Sequence, residues 1–410
     1  MKKLSLVLLM LVCSFALQAQ ETLRIWQNGE FEKVSLSAAQ TMTYGNNGTT
    51  LTVAGVAYPV SAIDSITVVH QVKVVYNGQT ATVSIPAALK ADVTAVIDGA
   101  HVTLTNTNVS NEVEFLLSGT STNGSFTYEG AYKTTIRLNN VSLTSGRGAA
   151  LDIHCGKRID VVLENGTTNT LIDYEGGIQK ACFYCSGHVE IGGGGTLNVT
   201  GKLTHAIKTK EYMELKKSVG VINIVGAASD AMHIGQYYRH RGGTVNITSA
   251  TQGDGIQVET LTLADNLTPN PEKEDNGKIF IEGGILNIEM AHEDREAIKC
   301  NDSIIISGGM FDITALGNGS RGIQTDGSML IDATKGATDI TIAAKGGLCT
   351  AEVDADDPHR CMGIKVDGDL TINGGTVKVT NTGVKSRGIR VGGKYTKNGG
   401  TVTANVSLKN

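Results

Sequence analysis

No long run of like charge interrupts this 410-residue chain, and its formal net charge is only −5. Nothing in it therefore resembles a nucleic-acid-binding tail. Beyond the first residues no apolar stretch approaches the ~20 residues that a membrane-spanning helix needs, and no segment carries a convincing helical period. Proline is down to 5 residues and tryptophan to 1, whereas glycine reaches 50. That glycine load, with abundant Thr, Val, Ile and Asn, suits many short strands joined by tight turns.

Met1–Ala19 reads as a secretory leader: Lys2-Lys3, an apolar run from Leu4 to Val12, then small and polar residues. The bulky Val12 before Cys13 argues against lipidation at that cysteine. The mature chain is expected to be exported, to the periplasm, the cell surface or the medium. Six cysteines remain, an even count that permits disulfides in an exported protein. Cys349 with Cys361 is the pair expected to clip one long insertion. Cys155 with Cys182 or Cys185 is either a second bridge or a set of buried thiols, and the spacing does not match a zinc site.

A glycine-led phrase returns through the second half of the chain. It reads Gly-Thr-Leu-Asn-Val-Thr at Gly195–Thr200 and recurs from Gly220, Gly243, Gly284, Gly309, Gly375 and Gly400. Most intervals are 23 to 25 residues, lengthened to 41 and 66 where Asp265–Lys278 and Lys345–Arg360 are inserted. A second phrase, small-Ile-polar, includes His205-Ala206-Ile207, Asp230-Ala231-Met232, Asp254-Gly255-Ile256 and Glu296-Ala297-Ile298. The third is an alternating triplet such as Val189-Glu190-Ile191. Alternation sends Leu197 and Val199 inward and Asn198 outward. The expected fold is all-β: a right-handed parallel β-helix, or solenoid, with three strands per turn. Residues 20–69 form a small N-terminal β module, and 70–410 form the β-helix, with 70–130 as irregular first turns and cap.

Leu163-Glu164-Asn165-Gly166-Thr167-Thr168-Asn169-Thr170-Leu171, with Ile136–Val141 and the repeats that follow, resembles a family of carbohydrate-binding β-helix proteins. The resemblance runs from about Lys133 to the C-terminus. It implies a pectate-lyase-like fold, calcium, and binding of acidic or cellulosic plant polysaccharides. This chain has Glu296, Arg321, Met362 and Arg387 where that family tends to keep Asp.

In the expected fold, Asp230, Asp254 and Glu296 stack ~5 Å apart, where two like charges repel by roughly 3–4 kcal/mol. Calcium, with its preference for six to eight oxygens, would relieve such a row. Basic neighbours such as His205 and Arg321 would do part of the same, and turn-capping hydrogen bonds are the alternative use for each acid. The acids of Glu352–Asp357 lack EF-hand spacing and read as a solvated loop. Tyr212, Lys216, Tyr237, Arg239 and Arg241 are expected on one outward face. There, rings would meet sugar C–H surfaces and guanidinium forks would meet uronate carboxylates; the alternative is a solvated strand whose long cations cover apolar surface. The Asn198/Asn223/Asn246/Asn287 row reads as a structural hydrogen-bond ladder. No local motif assembles a lyase site, so the expected function is non-catalytic, calcium-assisted polysaccharide binding. A polysaccharide lyase on the same scaffold and a structural adhesin are the alternatives.

Overall fold

The computed structural model describes residues 21–28, 30–36, 38–39, 41–349 and 359–408. The expected leader and the acids Glu352–Asp357 lie outside them. Among the described residues the chain is all-β, with short 3₁₀ turns and no α-helix.

Strand burial follows the sequence alternation. Leu197 and Val199 are fully buried in the strand Thr196–Gly201, while Asn198 between them is only half-buried. Parallel pairing then carries each inward position onto the next strand: Leu197 faces Ile222, Ile222 faces Val245, and Val245 faces Leu286. One apolar core runs from Val72 to Val391. Each fully buried Val, Leu or Ile contributes about 1.5–3 kcal/mol there.

The expected right-handed, three-strand-per-turn β-helix requires correction. Strand pairing gives one 22-stranded sheet, one of 13 strands and one of three. Columns expected to stay separate are fused by long strands. Lys278–Met290 pairs with Tyr237–His240 over its first part and with Thr244–Ile247 over its second. Antiparallel pairs open the chain, Glu21–Gln27 with Ser65–Asn77 and Val93–Asp98 with Ala100–Asn106. The outcome is a closed, barrel-like arrangement of mostly parallel strands around one core, with further sheets attached, and not a clear solenoid. Glycine is the physical reason for the fusion. Gly284 at φ +83° and Gly309 at φ +108° let a strand bend without breaking, and the register shifts beside them, at Glu282/Ile285.

The N-terminal strands Glu21–Gln27 and Glu30–Ser35 join this sheet through Ser65–Asn77, which pairs in parallel with Val113–Ser121. Leu23, Ile25, Leu51, Val53 and Tyr58 form a small core of their own. Buried Glu114 links the two regions: it takes an ion pair from Arg24 and another from Arg137 Nε at 2.7 Å.

Candidate functional site

Parallel register puts His188, Tyr212 and Tyr237 side by side on the outer face of the large sheet. The residues that follow them, Val189, Met213 and Tyr238, are paired in turn and point inward. Tyr212 and Tyr237 stack at 4.6 Å and 9°, and His188 stacks on the other side of Tyr212 at 4.3 Å and 20°. Both faces of the Tyr212 ring are thus covered, so it offers its edge and hydroxyl rather than a flat surface. Arg239 lies over Phe280 at 4.7 Å and near Tyr237 at 5.5 Å. Burial and nearby carboxylates outweigh Arg239 and push Tyr237 up to about 12.

The expected cations are present but none is idle. Lys216 Nζ bridges Asp160 at 2.6 Å and Glu190 at 3.0 Å. Burial opposes its charge, but these two carboxylates raise the Lys216 pKa above its ordinary value. Arg241 meets Glu214 at 2.9 Å and Glu282 at 3.6 Å, and Lys335 meets Glu282 at 2.7 Å. Arg239 meets Asp275 at 3.3 Å. Around this network lies an open cleft of about 690 Å³, bordered by Glu190, Glu214, Lys216, Lys217, Arg241, Glu282 and Lys335. The tyrosine row reaches it through the Tyr212 hydroxyl, 3.4 Å from Glu190. Sequence reasoning found Tyr212, Lys216, Tyr237, Arg239 and Arg241 by their outward parity. It missed His188, Asp160, Glu190 and Glu282 as members of the same surface. The strand triplets carried the parity signal for Asp160 and Glu190, but only pairing shows that their charges interleave with the cations.

Asp230, Asp254 and Glu296 also lie together, in a buried row at or just before the N-terminal ends of neighbouring interior strands of the 13-stranded sheet. Asp230 Oδ1 accepts the Asp254 N–H at 2.9 Å, and Asp254 Oδ1 accepts the Glu296 N–H at 2.9 Å. Lys299 stands 3.6 Å from Asp254 and 3.3 Å from Glu296, and Arg321 pairs directly with Glu296. At the other end, Asp230 Oδ2 is 2.8 Å from His233 Nδ1 and 3.2 Å from His205 Nδ1. Burial works against the Asp230 charge, yet the two imidazoles hold its pKa well below the carboxylate range. Burial followed by the Glu296 charge pushes Asp254 up to about 7. A calcium ion between these acids does not fit. It needs six to eight oxygens, whereas here the free oxygens face backbone N–H groups, Lys299 and Arg321.

The expected Cys349–Cys361 disulfide is corrected: both side chains are buried free thiols. Leu348 bridges Arg360 in antiparallel fashion, Cys349 N–H donates to His359, and Cys361 N–H donates to Gly347. The cysteines are therefore diagonal neighbours, ~7–8 Å apart between Cα atoms, beyond the ~4.4–6.8 Å a disulfide tolerates. Cys155, Cys182 and Cys185 are buried free thiols too.

A family model described as carbohydrate-binding domain-containing protein matches residues 98–409. Comparison with curated proteins gives no match. A solved structure of a polysaccharide lyase-like protein from C. thermocellum, a gadolinium derivative, aligns over 65% of this chain and 98% of its own, with a TM-score of 0.51 and 18% identity. Likeness at that identity concerns the fold alone.

Proposed function

We propose, from the premise that this chain belongs to the carbohydrate-binding domain-containing family, that it holds a polysaccharide without cleaving it. The assigned surface is the cleft beside the Tyr212–Tyr237 stack. The observation that carries the reading is the interleaving of carboxylates with cations along that 690 Å³ cleft. Sugar hydroxyls both donate and accept, so a surface alternating acceptors with donors suits them. Exposed Lys217 at the rim is the cation available to a uronate carboxylate without first breaking one of the ion pairs described above. We assign acidic or plant-type glycans as ligands on that basis.

Binding without chemistry is supported by the state of Lys216. A base that takes a proton from a sugar carbon must be neutral at working pH, and Asp160 and Glu190 keep this ammonium charged. The residues at Asp230, Asp254 and Glu296 do not fit calcium, so no calcium step enters the reading. The leader-like Met1–Ala19 supports action outside the cytoplasm, at the surface, in the periplasm or in the medium.

The test is affinity electrophoresis of the mature chain through gels containing polygalacturonate or a neutral plant glucan. An assay for unsaturated sugar products runs in parallel. Retention without product is the expected result. Unsaturated product would replace binding by a lyase, and free migration in every gel would replace it by a structural adhesin.

A further inference from the structure

His205 Nδ1, Asp230 Oδ2 and His233 Nδ1 converge from two neighbouring strand starts, with all three atoms within 4.8 Å of one another. Two of the three separations are 3.2 and 2.8 Å. In a tetrahedral zinc site, bonds of about 2.0–2.2 Å put neighbouring ligand atoms about 3.3 Å apart. The observed spacings therefore already approximate two edges of such a tetrahedron. The rings lie 4.4 Å apart at 37°, and each turns its Nδ1 towards Asp230 Oδ2.

Several surrounding contacts suit a metal ligand set. His233 Nε2 stands 3.2 Å from Glu259, a carboxylate that orients the ring, while Nδ1 faces Asp230 Oδ2 at 2.8 Å and would release a proton on taking up a metal. Asp230 Oδ1 is occupied by the Asp254 N–H, which leaves Oδ2 as the ligand oxygen. His205 Nδ1 accepts the Asp230 backbone N–H at 3.3 Å, a long contact that a metal would have to displace to take the same lone pair. That same nitrogen faces Asp230 Oδ2, and two acceptors facing each other call for a shared proton or a cation. The side chains of His205, Asp230 and His233 are 15%, 10% and 10% exposed, enough for entry from one side. Lys208, in register with His233, is the nearby cation that works against a metal.

We propose that His205, Asp230 and His233 form a divalent transition-metal site of zinc type, with a fourth position open to solvent or ligand. Two imidazoles and one carboxylate suit such a metal, whereas calcium wants oxygen alone. The site stands on this geometry and not on the saccharide reading. Cobalt(II) titration of the metal-stripped mature chain, followed by visible absorption, tests it, with zinc as competitor. One equivalent should bind with tetrahedral-type bands and be displaced by zinc. Glu259→Gln should weaken binding by roughly 10–100-fold, and His205→Ala or His233→Ala by more. X-ray absorption of the unmutated cobalt complex should count two imidazoles, which keeps the test independent of how the variants fold. No stoichiometric binding, an imidazole count of zero, or equal affinity in the histidine variants would overturn the site. Glycan retention is measured separately, and the metal site stands or falls without it.

Discussion

Asp254 donates its backbone N–H to the Asp230 carboxylate at 2.9 Å, and so turns a neighbour's negative charge into a turn-capping acceptor. Glu296 repeats the contact on Asp254. A row of three acids thereby becomes a ladder in which each carboxylate tethers the next strand. Its charge is met by His205 and His233 at one end and by Lys299 and Arg321 at the other.

This ladder ties stability to pH through Asp254. Burial and Glu296 raise its folded pKa from 3.8 to about 7, so the folded state binds the extra proton in that interval. The contribution is present below about pH 4 and is lost as pH rises towards 7. Asp254→Asn keeps an oxygen for the Glu296 N–H and removes the titration. Urea unfolding of this variant between pH 4 and 7 should show a flatter decline than the parent chain, and equal slopes would refute the assignment.

His233 acts in the next interval. Burial opposes its charge, but Asp230 and Glu259 raise its pKa from 6.5 to about 9. Its stabilisation is complete below about 6.5 and disappears as pH climbs through 9, at most on the order of 3 kcal/mol. His233→Gln should be weakened relative to the parent at pH 6 and nearly equal to it at pH 10. Calorimetry at the two values, with chelator present, measures the difference.

Arg321 neutralises Glu296 where both side chains are almost fully buried. Truncating one partner of a buried pair costs about 3–5 kcal/mol when it strands the other charge; Lys299, 3.3 Å from Glu296, places the cost here at or below the lower end. Arg321→Ala should lower the urea midpoint accordingly, and Arg321→Ala with Glu296→Gln should recover much of the loss. No recovery in the double variant would show that the pair is not the cause.

Asn246 is the middle of a side-chain ladder: it donates to Asn223 at 2.7 Å and accepts from Asn287 at 2.8 Å. Water can reach this row, so Asn246→Ala should cost only about 0.5–1.5 kcal/mol. It should leave glycan retention unchanged. A loss of retention would give the ladder a binding role.

Arg239→Ala combined with Arg241→Ala would leave Asp275 and Glu214 without these partners and make the cleft more negative. Retention on an acidic polysaccharide should fall by roughly tenfold, about 1.4 kcal/mol, and on a neutral glucan by much less. Equal losses on both would discredit the charged cleft as the source of discrimination.

Side-chain parity was legible before any coordinates. Period-2 alternation sent Tyr238 and His240 inward and Tyr237 and Arg239 outward, and gave the Asn row its one-sided arrangement, because a strand has only two faces. The three acids could be aligned because each stands before a recurring small-Ile phrase. What parity omits is distance. It could not reveal that Lys299 enters between Asp254 and Glu296, or that Glu214 and Glu282 take up Arg241. It also could not reveal that the strand at Leu348 pairs so as to set Cys349 diagonal to Cys361.

Local chemistry along the chain was enough to choose strands over helices and to sort inside from outside, since both follow from neighbouring residues. Sheet closure, fusion of strand columns at Gly284 and Gly309, and the addition of His233 to the expected His205–Asp230 pair were decided by tertiary structure alone. These depend on which strands lie next to one another and how far each bends. Side chains 25 residues apart, such as His205 and Asp230, share a few ångströms of space only after that choice is made.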